Sequence, residues 1–312
     1  MRPTSLMLLP AVALVAQAPA TTPDLAKQFN AELPGINQML KELKYEDALA
    51  KVQTLIPAER PVFDTSSAKA IAQSLDNAQG LMSLYRLYAN VATENGQWEK
   101  ALEIQETRAQ AGRAILADLD KAQAPFLTQW KKVAQDSGDY VAKNTARLAE
   151  LTAAQAQKAL APAEQQELDQ INTALPVHKQ NMANAPKVFK MLGDNQKEVA
   201  DLIKAADEAI AKAKAALAGQ NGEINEFNMK QVIKGVKVVG KKNWVDAVLH
   251  LPENVTKLPT AQAQGAFLNR MLVLDPGNER ATKALANLKQ GKELFPKEVK
   301  HTTKKAVSKK KK

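Results

Sequence analysis

Residues 81–119, LMSLYRLYANVATENGQWEKALEIQETRAQAGRAILADL, decide how the rest of the chain is read. Leu81, Leu84, Tyr85, Tyr88, Val91 and Ala92 recur at steps of three and four, which puts them on one face of a helix. Asn95-Gly96 then supplies the left-handed stop that ends helices. A second apolar run starts at Trp98 and continues through Ala101, Leu102, Gln105 and Ala109 toward Leu119. The two runs are expected to form an antiparallel helical hairpin across Asn95-Gly96-Gln97.

The same palette extends through the chain. Ala, Leu, Lys and Gln dominate, and 312 residues hold only three Trp, four Tyr and seven Phe, a composition of helices rather than sheets. An all-α fold is the expected class. Between Ala124 and Pro186, Pro125, Ser137-Gly138, Pro162, Pro176 and Pro186 punctuate Ala-, Gln- and Leu-rich stretches. Pro162 suits the first position of a helix carrying Leu168, Ile171 and Leu175, where its missing N–H costs nothing. After Asn195 and Glu198, spaced as a capping box, Val199, Ile203, Ala206, Ile210, Ala213 and Leu217 alternate steps of four and three up to Gly219, the expected end of that helix. Such a narrow seam needs a partner helix, either within the chain or in a coiled-coil dimer. Gly219-Gln220-Asn221-Gly222 reads as a flexible turn.

Three places share an aromatic followed three residues later by alanine: Tyr45 with Ala48, Trp98 with Ala101, and Trp244 with Ala247. Small alanine lets two helices cross closely while the aromatic fills the turn. This resembles the middle of a tetratricopeptide repeat. In the best stretch, Met82 to Ala111, Tyr85 and Tyr88 fall where that family places large residues, Ala89 where it places a small one, and Ala101 where its second helix needs alanine. Gly235, eight residues before Asn243-Trp244, matches the family's small crossing position, and Leu274-Asp275-Pro276 followed by Asn278, Ala281 and Ala284 resembles a boundary between repeats. The aromatics lie 53 and 146 residues apart, neither a multiple of the family's repeat, so isolated repeat-like hairpins are expected rather than a regular array. The resemblance implies a protein that binds another protein in a helical groove.

The first twenty residues set the compartment. Arg2, the apolar run Leu6 to Val15 broken by Pro10, and Ala16, Ala18 and Ala20 at the exit make a secretory signal peptide at 1–20. The run is too short to span a bilayer. Cleavage fits after Ala18 or Ala20, and Thr21 is the favoured mature N-terminus. The chain is therefore expected to be exported, periplasmic or extracellular, and soluble. With no cysteine it can be neither a lipoprotein nor a disulfide-stapled domain.

The expected organisation is the signal peptide, a helical region with repeat-like hairpins at 21–122, an Ala-rich bundle or coiled-coil-like section at 123–219, a second repeat-like region at 220–296, and a Lys-rich tail at 297–312. The net charge of +10 belongs mainly to that tail, which holds eight lysines and one glutamate and is expected to be disordered. Residues 21–296 carry only +2.

Chemistry-bearing patterns are sparse. His178, His250 and His301 are scattered without a second ligand at helical spacing, and neither a nucleophile elbow nor a Gly-rich phosphate loop occurs. No metal or cofactor is expected, and no enzymatic role. Asp118 with Asp120 and Asp207 with Glu208 read as solvated faces, and Asn254-Val255-Thr256 matches a glycosylation acceptor. Lys230, Lys234, Lys237 and Lys241 form one stripe opposite Met229, Val232, Ile233, Val236 and Val239 if 229–240 is helical, although its β-branched density also suits a strand. The expected role is an exported non-enzymatic scaffold or adaptor for a protein partner. Its rival binds anionic envelope polymer or lipid through Lys304, Lys305 and Lys309, Lys310, Lys311 and Lys312, with nucleic acid disfavoured after export.

Overall fold

In the computed structural model of the chain, residues 24–237 and 239–296 are described, and among them the fold is all-α. Residues 1–20, the expected signal peptide, and the Lys-rich stretch 297–312 lie outside the described residues. Three helices lead in: α1 (Leu25–Lys41), α2 (Tyr45–Leu55) and α3 (Ala68–Glu94). Two very long ones follow, α4 (Trp98–Gln157) and α5 (Pro162–Ile233). Four short ones close the chain: α6 (Lys241–Leu249), α7 (Glu253–Thr256), α8 (Ala261–Leu274) and α9 (Glu279–Lys289).

The expected hairpin across Asn95-Gly96-Gln97 is present. Gly96 adopts φ +73°, the Gly96 N–H donates to Thr93 O and the Gln97 N–H to Ala92 O, so the turn is a Schellman cap. Leu43 closes α1 the same way at φ 58°, with Leu43 N–H to Leu40 O and Lys44 N–H to Met39 O. Tyr45 and Trp98 thus each begin a helix two residues after a left-handed residue.

At 1.5 Å per residue, the 60 residues of α4 extend about 90 Å and the 72 of α5 about 108 Å. They run antiparallel from the turn at 158–161, where Pro162 begins α5 as expected. Cross-pairs hold one register along the hairpin: Lys214 to Glu106 at 2.9 Å, Arg113 to Asp207 at 2.7 Å, Gln196 to Asp120 at 2.7 Å, and Arg147 to Glu167 at 2.8 Å. The seam that begins at Val199 therefore finds its partner within the chain. It is also much longer than its apolar pattern suggests. Ile171, His178, Ala185, Leu192, Val199, Ala206, Ala213 and Gln220, each seven apart, are all buried or half-buried. On α4, Ala109, Leu116, Gln123, Trp130, Ser137, Asn144 and Leu151 answer them with the same spacing. Gly112 brings the helices close, since a Cβ there would lie 2.8 Å from Ile203 and from Met82.

Several expected breaks are absent. Pro125, Pro176 and Pro186 stand inside α4 and α5, and Ser137-Gly138 is helical. All three prolines are exposed, as are Lys121, Asn172 and Met182, whose carbonyls the prolines deprive of a donor. A proline on the water-facing side of a supported helix bends it without ending it. Asn195 is an interior residue of α5 rather than a cap. Gly219 does not stop the helix, and Gly219-Gln220-Asn221-Gly222 is not a turn, because Gln220 and Ile224 are buried and hold the helix against the body.

The paired helices return the chain to its start. α1–α3 and α6–α9 gather around the beginning of α4 and the end of α5 as a head, and Leu288 of α9 packs against both the α1–α3 core and the C-terminal core. At the far tip, Leu151, Leu168, Ile171 and Leu175 make a small separate core. A Cβ at Gly219 or Gly222 meets nothing within 4 Å. Gly219→Ala and Gly222→Ala are thus expected to stabilise the protein by about 0.5–1 kcal/mol each in urea unfolding, the gain of alanine over glycine inside a helix; destabilisation would bring back the turn.

Candidate functional site

The three aromatics of the sequence motif converge on α8. A Tyr45 Oη–H donates to Gln262 O at 3.0 Å and lies against Gly265, where any Cβ would collide with the phenol. Burial, then the charge of Glu94, holds the Tyr45 phenol well above its usual pKa, so it acts as a donor. Trp98 lies under Arg270 of α8, whose guanidinium carbon is 4.6 Å from the ring centroid. Trp244 is buried in the core that contains Leu268 and Met271 of the same helix.

Arg270 is 2 % exposed and uses all five of its N–H donors. Nη1 donates to Gly96 O at 3.0 Å and Glu99 Oε2 at 2.7 Å, Nη2 to Glu99 Oε1 at 2.9 Å and Gln220 Oε1 at 2.6 Å, and Nε to the same Gln220 oxygen at 2.9 Å. One side chain thus ties the α3–α4 turn, the first turn of α4, the end of α5 and α8 together. The fork bonded to Glu99 is the bidentate geometry that makes such a pair strong. Hydrogen bonding to Arg270 comes first in holding the Glu99 carboxyl below the usual carboxylate range, against a smaller opposing effect of burial, with the charges of Arg270 and Lys241 adding to it.

Beside this clamp opens a cleft of about 780 Å³. Its walls are Thr93, Glu94 and Trp98 on one side, Ala216, Gly219, Gln220 and Glu223 on the second, and Trp244, Leu258, Ala263, Phe267 and Met271 on the third. A second, smaller hollow of about 310 Å³ shares Thr93, Trp98 and Ala216 and follows α3, α4 and α5 past Ala89, Ala101 and Gln105. Two tryptophans from distant parts of the sequence thus face one groove with small residues between them. Apolar walls with a few oriented polar groups are what ligand grooves are made of. Gln262 links the rim to α3, donating through Nε2 to Glu94 Oε2 at 2.8 Å.

The motif residues have different fates. Ala48, Ala89 and Ala101 are buried at helix contacts, Tyr88 is buried and Tyr85 half-buried, and Ala247 is half-buried. Trp244 is the fourth residue of α6 rather than its first, so the third motif differs locally from the other two. Gly235 is not a crossing position: at φ +82° it caps α5, with Gly235 N–H to Val232 O and Val236 N–H to Gln231 O, and a Cβ there meets nothing. Of 229–240, residues up to Ile233 finish α5, and the described residues after it form neither helix nor strand. Asn278 caps α9, its Oδ1 accepting from Ala281 N–H at 3.0 Å, so a new helix begins after Leu274-Asp275-Pro276. His178 sits in the long seam, stacked on Tyr140 and 3.1 Å from Ser137 Oγ. Lys304, Lys305 and Lys309 to Lys312, the expected anion-binding lysines, and His301 lie outside the described residues. Arg270, Glu99, Gln220, Phe267 and Met271 were missed by sequence reasoning, although Arg270 is the single charged residue of the fourteen in α8, a signal of special placement.

Among the described residues, no group of three or more His, Asp or Glu could hold a metal ion, and no helix is long and apolar enough to cross a membrane. No family model, curated protein or solved structure matches this chain.

Two outcomes test the clamp. A Cβ on Gly96 would lie 2.6 Å from Arg270 Cα, so Gly96→Ala meets both left-handed strain and a backbone collision, whereas Gly235→Ala meets strain alone. Thermal unfolding is expected to show a loss of about 1 kcal/mol for Gly235→Ala and at least twice that for Gly96→Ala. The depressed carboxyl of Glu99 stabilises the fold in full above its unfolded pKa of 4.5, and that contribution is lost as pH falls through the folded value. In acid titrations Glu99→Gln should flatten the fall of stability below pH 4.5, leaving the part owed to Asp24, Glu42, Asp64, Glu167 and Glu226, whose carboxyls are also lowered by hydrogen bonds.

Proposed function

We propose that this protein is an exported, non-enzymatic helical adaptor that takes an apolar segment of a partner protein into the cleft between Trp98 and Trp244. The observation that carries the reading is the cleft itself: an apolar groove framed by two tryptophans and fixed in shape by a guanidinium with no donor left to give. Rigid aromatic anchors supply contact area with little entropy left to lose, so binding energy goes into the complex rather than into ordering the site. The resemblance of the Met82–Ala111 hairpin to a tetratricopeptide unit supports the same class of task. In this reading α4 and α5 act as a spacer that separates the head from the 158–161 tip.

Ala216 lines both hollows and is exposed, so a larger residue there blocks the groove without disturbing the core. A photo-crosslinker placed at Ala263 in cells is expected to capture a defined partner, a crosslinker at the exposed Ala142 of the spacer none, and Ala216→Arg to cut the Ala263 adduct at least tenfold. Adducts at Ala263 that ignore Ala216→Arg would sink the cleft reading, and associations lost only when the lysine tail is removed would favour the tail as the binding element.

A further inference from the structure

Where α5 ends, four large apolar side chains face water together. Met229 is 70 % exposed, Val232 56 %, Ile233 83 % and Val236 38 %. The spacing of Met229, Val232 and Ile233 puts these three on one side of the last helical turn, and Val236 follows the Gly235 cap. A Cβ at Gly235 or Gly240 would meet nothing within 4 Å, so the backbone on either side of Val236 and Lys237 has open space beside it. The base of this helix end is firmly held: Ile224 and Phe227 of α5 lie in the core with Trp244, Leu249 and Leu268. Cations surround it. From Phe227 to Val245 the chain carries five lysines and no acidic residue. Lys230 pairs with Glu226 and Lys241 lies near enough to Glu99 to act on its carboxyl, which leaves Lys234, Lys237 and Lys242, exposed and without a carboxylate partner among the described residues.

We propose that this tip, Met229 to Lys242, docks on an anionic phospholipid surface, with Met229, Val232, Ile233 and Val236 entering the interface and Lys234, Lys237 and Lys242 meeting the phosphates. Charge complementarity selects the occupant. Exposed apolar groups with lysines beside them in sequence suit a soft layer whose acyl boundary takes the apolar groups while lysine stems let the ammonium groups reach the headgroup level. Such a contact lies in the interface and does not cross it. Leu294 and Phe295 belong to the same core as Ile224 and Phe227, so the sixteen residues from Lys297, with their eight lysines, leave from the body that carries the tip. An inserted apolar group and a basic segment on one body are the two signals that stable peripheral attachment requires. The proposal is independent of the cleft, which involves none of these side chains.

Because the chain has no cysteine, a single label is site-specific. Full-length protein carrying Met229→Cys with an environment-sensitive fluorophore is mixed with vesicles of equimolar phosphatidylglycerol and phosphatidylcholine, and with phosphatidylcholine alone. A label at Val62→Cys, 84 % exposed elsewhere on the head, is the control. The expected result is a blue shift at position 229 with the anionic vesicles only, and none at 62. Val232→Ser with Ile233→Ser should lower partitioning at least tenfold at unchanged far-ultraviolet helicity, and Lys234→Glu with Lys237→Glu should do the same through charge. Sedimentation with vesicles without a shift at 229 would assign binding to the tail and overturn the proposal. So would a concentration-dependent shift without lipid, which would make the tip a contact between copies, or no association with vesicles.

Discussion

The guanidinium of Arg270 is the point on which the head depends. Burying a cation is costly unless every donor is met and the charge is answered. Here both conditions are fulfilled by four groups from two stretches of the chain: the Gly96 carbonyl, the face of Trp98 and the Glu99 carboxylate at the α3–α4 turn, and the Gln220 amide of α5. Removing any one partner leaves the others around an under-satisfied buried charge. The interaction therefore specifies one arrangement of α3, α4, α5 and α8 rather than merely adding attraction between them. Gly96 takes part twice, as the left-handed residue of the turn and as the only residue small enough to lie against the Arg270 backbone.

The long hairpin solves a different problem with weaker means. Two helices alone cannot make a thick core, so their seam includes half-buried and polar layers: Ser137 with His178, and Gln123, which is buried with neither amide atom hydrogen-bonded. Exposed cross-pairs such as Arg113 with Asp207 contribute little each. What keeps the register is repetition: a slip by anything but a whole heptad would take every layer of the seam out of step at once. The prolines on the outside are tolerated because the inside is continuous.

Helix type, the hairpin at Gly96, the start at Pro162 and a helix beginning after Leu274-Asp275-Pro276 were legible because each rests on contacts between near neighbours. The stops expected at Pro125, Pro176, Pro186 and Gly219 failed for one reason. Each of those residues disfavours a helix locally, but a partner some forty to a hundred residues away in sequence keeps the backbone helical. Seam members such as Gln123, His178 and Gln220 broke the apolar pattern, so the heptads looked three long when they run the length of α5. Of the cleft, Trp98 and Trp244 were singled out for a repeat motif, and only the meeting of the chain's two ends shows that they face one groove.

The hairpin also decides the order in which the molecule can assemble. Glu99 and Arg270 are separated by 171 positions, and closing so large a loop in an open chain is entropically expensive. The tip core at Leu151 and Leu168 needs almost no loop closure, so pairing there can start early and advance toward the head, each layer shortening the gap left for the next. By the time Glu106 meets Lys214, the segments that carry Glu99 and Gln220 are already side by side. The spacer is then also the scaffold on which folding proceeds, and a fault in its middle would appear as a slow closing of a head many turns away.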